Sequence, residues 1–280
     1  MRALTFLARR FVAGDTVDEA IVAVRALNRQ GLKVTLDNLG EEVKSRAQAE
    51  AAREEYLLML RKIAEAEVDC NVSLKLSQFG LNIDPKLARE HLGAVAKSAA
   101  KLKNFVRIDM EGSAYTQKTL DLFYSLFGDY DNLGVVIQAG LRRSEADVAE
   151  LVRRKARVRL CKGAYKEPAS IAFPDKAEVN SNYDALAKML LKAPLPAFAT
   201  HDDARVKNAV AAAGAAGLKK SGYELQMLYG LRPKRWKDLA AAGHTVRIYM
   251  PYGTHWFPYF YRRIRERKEN LMFVVKGLFS

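Results

Sequence analysis

The sequence predicts an α/β protein, a (β/α)8 TIM-type barrel with a short N-terminal helical segment. Strand-like apolar runs alternate with segments of helical periodicity along most of the 280 residues, a pattern typical of a parallel sheet. Eight such units in about 250 residues favour a closed barrel over a doubly wound sheet. No GxGxxG motif of a dinucleotide-binding sheet is present.

The chain is predicted to begin with a helical segment at residues 1–30. Thr16 and Glu19 form a capping box, and Gly31 is placed to end the helix. We expect residues 1–280 to form one barrel catalytic domain, in which residues 256–280 are a final arginine-rich helix and tail.

Eight strands follow from the alternation of apolar and polar positions. They are predicted at Lys33–Leu39, Asn71–Leu76, Phe105–Met110, Leu133–Ala139, Arg157–Lys162, Pro196–Thr200, Tyr223–Leu228 and Val246–Met250. The intervening helices are expected to run through Ala66, from Pro85, over Thr116–Phe127, from a Ser144 cap, over Ala177–Leu191, from Asp203 and from Pro233.

The stretch after the last predicted strand carries an unusual pattern of charge. Pro251 to Gly253 reads as a turn, and a helix with two faces follows it. One face is an apolar stripe of Phe257, Phe260 and Ile264; the other carries Tyr259, Arg262, Arg263 and Glu266. Planar guanidinium groups can grip both oxygens of a carboxylate. The second face is therefore either a site for a small carboxylate or a solvated basic surface.

Composition limits the classes of function. The formal net charge is +14, and residues 231–280 contain eleven Lys or Arg against three Asp or Glu. No nucleic-acid-binding module accompanies this charge, so we expect no nucleic-acid partner. Cys70 and Cys161 form no CxxC motif, and the four histidines show no zinc-ligand spacing. We therefore expect no metal and a reducing, cytoplasmic setting.

Active sites of such barrels lie at the C-terminal ends of the strands. Polar residues late in the predicted strands are therefore candidates for function. They are Lys75, Asp109, Glu111, Gln138, Arg159, Lys162, Thr200, His201, Asp202, Glu224, Gln226 and Tyr249.

Three groups within this set have chemical interest, and each has a plainer alternative. Arg159, Lys162, Gly163 and Tyr165 could receive a pyrophosphate or an aromatic ring, or could be a turn beside surface cations. Ala199–Asp202 could bind a phosphate or ribose, or Asp202 or Asp203 could cap the next helix. Lys75 could be a Schiff-base amine or a positive charge near a substrate carboxylate.

Eight segments together resemble one family, the FAD-dependent proline dehydrogenases of the monofunctional bacterial type. The segments are Ser73–Leu76 (SLKL), Ile108–Met110 (IDM), Val136–Ala139 (VIQA), Arg159–Tyr165 (RLCKGAY), Ala199–Asp202 (ATHD), Tyr223–Gly230 (YELQMLYG), Ile248–Gly253 (IYMPYG) and Tyr259–Glu266 (YFYRRIRE). Each is short, but they occur in the order of the predicted strands.

The resemblance implies a role for each matched position. The positions implied to be catalytic are Asp109, Arg159 and Tyr249. Those implied to bind the substrate are Lys75, Leu228, Tyr259, Arg262, Arg263 and Glu266. Those implied to bind FAD are Met110, Gln138, Lys162, Gly163, Ala164, Tyr165, Thr200 and His201.

The activity implied by the resemblance is oxidation of L-proline to 1-pyrroline-5-carboxylate, the first step of proline catabolism to glutamate. A hydride would pass from proline to N5 of FAD, and a quinone would accept the electrons. We therefore expect a cytoplasmic protein with at most peripheral contact with the inner membrane. The other functions that the sequence allows are a Schiff-base aldolase-type barrel using Lys75 or Lys162 and a nucleic-acid-binding protein.

The chain departs from the family pattern at two places. Gly140 follows VIQA where the family commonly has tyrosine, and we expect it to open space near the flavin. Only about thirty residues precede the first predicted strand, fewer than is usual in the family.

Overall fold

The computed structural model describes residues 9–266, with side chains described through residue 261. Within this range, parallel strands β1 to β8 pair in sequence order, and β8 pairs with β1 to close a barrel. The predicted fold class is confirmed. The strands are β1 Lys33–Asn38, β2 Cys70–Leu74, β3 Val106–Ile108, β4 Leu133–Gln138, β5 Arg157–Cys161, β6 Ala197–Ala199, β7 Glu224–Leu228 and β8 Val246–Tyr252.

Helices precede β1 and follow every strand in the described part of the chain. They are α1 Val17–Asn28, α2 Arg46–Glu65, α3 Pro85–Lys101, α4 Ser113–Phe127, α5 Ser144–Arg153, α6 Lys176–Leu190, α7 Asp203–Ala215, α8 Pro233–Ala241 and α9 Trp256–Glu266. Half of the predicted capping box before α1 is present, because the Thr16 hydroxyl accepts from the Glu19 amide. The Glu19 carboxylate accepts from the amide of Asp15, one residue before the N-cap. None of the helices between residues 9 and 266 combines the length and the apolar character that a bilayer crossing requires.

The main apolar core lies between the barrel and its helices. Alternate strand residues such as Val34, Leu36, Val72 and Leu74 belong to this core and are fully buried. Successive side chains of a strand point to opposite faces, so the residues between them point into the barrel. That interior is polar, and Thr35, Asn71, Arg107, Arg247 and other buried residues occupy it.

Strand β8 is longer than the sequence predicts, because Pro251 and Tyr252 continue it. A proline lacks only the amide donor, and the Pro251 carbonyl accepts from the amide of Ala13 at 2.9 Å. The Tyr252 carbonyl accepts from the amide of Leu39 at 2.8 Å. The turn begins only at Gly253, where φ is +120°, so the expectation that Pro251 would break the strand was wrong.

Two further local predictions were wrong. Ser144 does not cap α5; the N-cap is Arg143, and the Ser144 hydroxyl donates to the carbonyl of Gln138 at 2.5 Å. In α9, Phe257 is 57% exposed and is not part of a buried stripe. Tyr259 and Phe260 are buried in a small apolar cluster instead, together with Phe11.

Candidate active site

A cavity of about 290 Å³ opens at the C-terminal ends of the barrel strands. Its volume is close to the lower limit for small-molecule sites. Most of the predicted site residues that the structure describes line it. They are Lys75, Asp109, Met110, Arg159, Ala164, Tyr165, Thr200, His201, Leu228, Tyr249 and Tyr259. The side chains of Arg262, Arg263 and Glu266 lie outside the described residues; only the backbone of their helix is described.

The amine of Lys75 forms a buried ion pair at this cavity. Its Nζ atom lies 3.1 and 3.0 Å from the two carboxylate oxygens of Asp37, at the end of the neighbouring strand β1. Burial by itself lowers the pKa of Lys75, but the charges of Asp37 and Asp109 raise it above its usual value. Lys75 is therefore a fixed cation and not the neutral amine that Schiff-base chemistry requires.

The carboxylate of Asp109 joins residues from three other strands. Its Oδ1 atom accepts from Arg159 Nη1 at 2.9 Å and from Ser73 Oγ at 2.9 Å. Its Oδ2 atom accepts from the hydroxyl of Tyr249 at 2.8 Å. Burial, followed by the charge of Asp109, raises the pKa of Tyr249 well above its usual value. Tyr249 is thus a neutral donor, and Asp109 holds both it and Arg159 in place.

Arg159 is held at the cavity by three side chains. Besides Asp109, its Nε atom donates to Gln226 Oε1 at 2.6 Å and its Nη1 atom to Ser73 Oγ at 3.1 Å. The guanidinium lies over the Tyr249 ring, 5.3 Å from its centroid. Its Nη2 atom is buried without a hydrogen-bond partner among the described residues, which leaves one strong donor for a ligand.

Gln138, Lys162 and Gly163 do not line the cavity but shape the backbone beside it. The Gln138 amide donates to the carbonyls of Met110 and Glu111 at 2.9 and 3.0 Å, and therefore fixes the loop after β3. Gly163 has φ +104°, and a Cβ there would lie 3.1 Å from Gln138 Oε1. A side chain at position 163 would thus be strained and crowded.

The loops after β5 and β6 are tied together by Lys162. Its Nζ atom lies 2.7 Å from Asp202 Oδ2 and 2.6 Å from Asn180 Oδ1. The hydrogen bond from Lys162 holds the pKa of Asp202 below its usual range. Asp202 also caps α7 through the amide of Ala204, as the plainer interpretation of residues 200–202 proposed.

His201 has one ring nitrogen fixed by the backbone. Its Nε2 atom accepts from the amide of Leu228 at 3.1 Å. His201 therefore joins the end of β6 to the end of β7, and both residues line the cavity.

Two residues of the site were missed in the sequence. Asp37 and Ser73 are polar residues at the penultimate positions of β1 and β2, a signal like the one that selected Lys75 and Asp109. Asp37 lines the cavity, and Ser73 bridges Asp109 and Arg159. Both lie within predicted strands, so the signal was available.

Two other candidates, Glu224 and Glu111, form their contacts away from the cavity. Glu224 is the first residue of β7, and it accepts from Arg247 at 2.8 Å inside the barrel, away from the mouth. Glu111 accepts from the amide of Ser77 at 3.1 Å and from the hydroxyl of the same residue. Neither lines the cavity.

Gly140 does not open the cavity as expected from the sequence. It is absent from the residues that line the cavity, and a Cβ at this position would lie 2.9 Å from the carbonyl oxygen of Lys162. Its amide donates to that oxygen at 2.8 Å. Glycine here permits close packing of two strand ends.

The described residues contain no group of three or more His, Cys, Asp or Glu that could hold a metal ion. The cavity instead combines fixed cations, a buried carboxylate–phenol pair and an apolar wall that includes Met110, Val136 and Leu228. This arrangement is suited to a small anionic substrate beside a flat ring system.

Comparison with known proteins gives consistent matches over nearly the whole chain. The family model described as proline dehydrogenase matches residues 20–276. Proline dehydrogenase 1 of Bacillus subtilis subsp. natto is 43% identical over 272 residues, which cover 97% of this chain and 90% of that protein. Proline dehydrogenase of Deinococcus radiodurans is 38% identical over 278 residues, with the same shares covered.

A solved structure has the same fold. It is proline utilization A (PutA) from Bdellovibrio bacteriovorus inactivated by N-propargylglycine, with a TM-score of 0.87 and 27% sequence identity. The match covers 93% of this chain and 32% of that one, so it corresponds to one part of a longer protein.

Proposed function

The chain belongs to the proline dehydrogenase family and oxidises L-proline, and we propose that the reaction takes place in the cavity at the barrel mouth with FAD as the cofactor. One observation carries this proposal. The cavity places the fixed cation Lys75 and the Asp109–Arg159–Tyr249 cluster against an apolar wall. This combination suits proline, because the cations can bind its carboxylate and the apolar wall can pack against its ring.

The carboxylate of proline is proposed to bind Lys75. Its ammonium is already oriented by Asp37, so little conformational entropy remains to be lost when the substrate binds. Arg262 and Arg263 are proposed to complete the grip, with Glu266 pairing on the same helix face. The proposal for these three rests on the sequence resemblance.

The pyrrolidine ring is proposed to pack against Leu228 and Tyr259. Both line the cavity, and Tyr259 is only 7% exposed. Packing on one face of the ring would fix its orientation, and an oriented reactant gains much of its rate from position alone. The same apolar surface excludes water from the reacting carbon.

The residues at the mouth fit FAD. Arg159 offers a buried N–H group that has no hydrogen-bond partner among the described residues. Gly163 has no side chain and a positive φ, a backbone conformation in which peptide groups can approach a ligand closely. We propose that Met110, Gln138, Lys162, Gly163, Ala164, Tyr165, Thr200 and His201 hold the cofactor. When bound, FAD supplies the electron acceptor for oxidation of the proline C–N bond.

Asp109, Arg159 and Tyr249 are proposed to be the catalytic group. Asp109 accepts three hydrogen bonds, so we assign it the role of positioning Arg159 and Tyr249 and not that of a general base. Arg159 provides a positive charge close to the reacting atoms, where a preorganised cation stabilises developing negative charge.

A quinone is proposed as the physiological electron acceptor, reached by transient contact with a membrane surface. Phe257 and Tyr261 are 57% and 50% exposed, and their rings stack with centroids 6.4 Å apart. They lie on α9 beside Tyr259, which lines the cavity. Exposed aromatic residues next to a site are suited to an apolar partner.

The Schiff-base alternative is not favoured. The raised pKa of Lys75 keeps it protonated, and Lys162 is engaged by Asp202 and Asn180. We further propose that residues 1–280 act as one catalytic domain, since the barrel brings the cavity-lining residues together.

An inactivation assay tests this proposal. N-propargylglycine carries a secondary amine next to a carboxylate, as proline does, and it inactivated the PutA from Bdellovibrio bacteriovorus. Incubation of the FAD-loaded protein should cause a progressive loss of proline-dependent dye reduction, and L-proline should protect. Unchanged activity after incubation, or loss without protection, would count against a shared site.

A further inference from the structure

A second cavity lies at the opposite, N-terminal end of the barrel. Its volume is about 330 Å³, and the strand beginnings and the loops that lead into them form its walls. The lining includes Asn71, Lys103, Asn104, Phe105, Arg157 and Arg247. None of these residues has a part in the oxidation of proline as described above.

Arg107 is fully buried beside this cavity and has few partners. Its Nη1 atom donates to the carbonyl of Arg157 at 3.4 Å, whereas its Nε and Nη2 atoms have no hydrogen-bond partner among the described residues. Its guanidinium lies 5.0 Å from the centroid of the Phe105 ring, and that of Arg157 lies 3.8 Å from the same centroid. The two cations thus contact one aromatic side chain.

Arg157 adds a second cation at this cavity. It is half-buried, it lines the cavity, and its Nε atom lacks a hydrogen-bond partner in the part of the chain that the structure describes. Within that part, neither Arg107 nor Arg157 lies within 4.0 Å of a carboxylate oxygen. A guanidinium cannot lose its charge in a protein, so two such groups together repel each other.

Among the residues that the structure describes, Glu224 is the buried carboxylate at this end of the barrel, and it is already in use. Arg247 binds Glu224 through Nε at 3.0 Å and through Nη2 at 2.8 Å, and Gln226 donates to Glu224 at 2.7 Å. Glu67 and Asp69 also line the cavity, but both are exposed. Asp69 is bound by Lys33 at 2.7 Å and lies 3.9 Å from Nη1 of Arg247. Three guanidiniums therefore share one buried carboxylate.

Electrostatics agrees with this geometry. Burial, followed by the charge of Arg159, lowers the pKa of Arg107 well below its usual value; the charge of Glu224 opposes this shift, and Arg157 and Arg247 add to it. Burial also lowers the pKa of Arg157. Buried charges are retained in proteins when they are paired and hydrogen-bonded, and a bound anion would supply both the charge and the acceptors.

We propose that this cavity binds a small oxyanion, a phosphate or a carboxylate, through Arg157 and Arg247, with the charge of Arg107 beside them. Guanidinium forks are suited to both kinds of ligand. The site lies at the N-terminal end of the barrel, which in this fold contributes to stability and not to catalysis. The anion therefore acts as a structural counter-ion. Because it binds the folded chain and not the unfolded one, it stabilises the fold by an amount that grows with the logarithm of the anion concentration once that concentration exceeds Kd.

The test is the thermal stability of the FAD-loaded protein in sodium phosphate, in sodium acetate and in sodium chloride of equal ionic strength. The proposal predicts that Tm rises with phosphate or acetate concentration and that chloride does not reproduce the rise. A larger effect of phosphate indicates a phosphate ligand, and a larger effect of acetate indicates a carboxylate. No rise with either salt, or an equal rise in chloride, overturns the proposal.

Two variants test whether the anion-dependent rise in Tm arises at this cavity. Arg157→Gln should weaken the binding of the active anion, measured by calorimetry, by about tenfold or more, since a hydrogen bond to a charged group is lost. Arg107→Met, which removes the most buried charge, should abolish the anion-dependent rise in Tm.

Arg89→Gln is the matched control. Arg89 lines a different cavity of about 380 Å³ with other cations, and this variant should keep the full response. If Arg157→Gln keeps the wild-type response, the anion binds elsewhere and the proposal is wrong. Phosphate that instead competes with proline would place it at the catalytic mouth, which also overturns the assignment.

Discussion

The ammonium of Lys75 lies 3.1 and 3.0 Å from the two carboxylate oxygens of Asp37, and this buried pair joins the ends of strands β1 and β2 at the catalytic cavity. The side chain of Lys75 is 10% exposed and that of Asp37 is 1% exposed. The pair explains how a lysine can stay charged in a half-closed cavity. If Lys75 binds the proline carboxylate as proposed, substrate binding depends on Asp37 even though Asp37 does not need to touch proline.

Asp37→Asn should therefore impair both stability and proline binding. Removing one partner of a buried ion pair costs about 3–5 kcal/mol, because the other charge is left uncompensated. Urea unfolding should show a loss of this order, and kcat/KM for proline should fall. The matched control is Asp238→Asn, which removes the exposed partner of Lys234 and should cost less than about 1 kcal/mol. Equal costs for the two variants would contradict the importance of the buried pair.

Arg159→Met should slow reduction of the bound cofactor by proline more than it weakens proline binding. The arginine is held by Asp109, Gln226 and Ser73 beside the cavity, and its charge is proposed to act on the reacting atoms. Stopped-flow measurements separate the limiting rate from the apparent dissociation constant. We expect the rate to fall at least about tenfold, which corresponds to a loss of about 1.4 kcal/mol of transition-state stabilisation. Loss of affinity alone would place Arg159 among the substrate contacts instead.

Arg262→Lys and Arg263→Lys should each lower kcat/KM for proline while FAD is retained. Lysine keeps the charge but loses the planar two-point grip on a carboxylate. A hydrogen bond to a charged group contributes about 1.5–3 kcal/mol, which corresponds to roughly 10- to 150-fold. Arg265→Lys and Arg267→Lys, on the same helix or just beyond it but off the predicted face, should have little effect. Similar activities for all four variants would mean that the basic face does not bind the substrate.

Glu224 gives the folded protein a defined response to acid. Burial by itself raises the pKa of this carboxyl, but Arg247 outweighs burial and lowers the pKa from 4.5 to about 2. Because the folded-state pKa lies below the unfolded one, the stabilisation by the charged form is complete above about pH 4.5 and is lost as the pH falls toward about 2. The free energy of unfolding of the wild type should exceed that of Glu224→Gln by a constant amount near neutral pH. That difference should shrink below about pH 4.5, and a difference that grows in acid would contradict the assignment.

The order of the barrel could be predicted from the sequence because strand and helix periodicities alternate regularly. The local exceptions to this order could not be predicted. Pro251 looks like the end of a strand, but in the structure it pairs with Asp37 of β1 and its carbonyl accepts from the amide of Ala13. Phe257 fits the apolar stripe of α9 by spacing, but the packing of Tyr259 and Phe260 against Phe11 turns it to the surface.

The site was predictable as a set of residues but not as a set of contacts. Asp109, Arg159 and Tyr249 were selected individually, yet their joint geometry depends on strand register across the barrel, which no local pattern encodes. The same holds for Asp37 and Lys75, which are 38 residues apart. Glu224 was misplaced because a polar residue in a short strand does not reveal which end of the barrel it faces. The register of β7 against β8 places its carboxylate in contact with Arg247.

Flavin-dependent oxidation at the barrel mouth is tested by anaerobic mixing of the FAD-loaded protein with L-proline while the visible absorbance of the flavin is followed. We expect the purified protein to retain FAD, L-proline to bleach its absorbance with saturating concentration dependence, and D-proline to do so far less efficiently. A protein that binds no FAD after refolding with it, or whose bound flavin stays oxidised in the presence of L-proline, would contradict the central claim that the barrel mouth is the site of flavin-dependent proline oxidation.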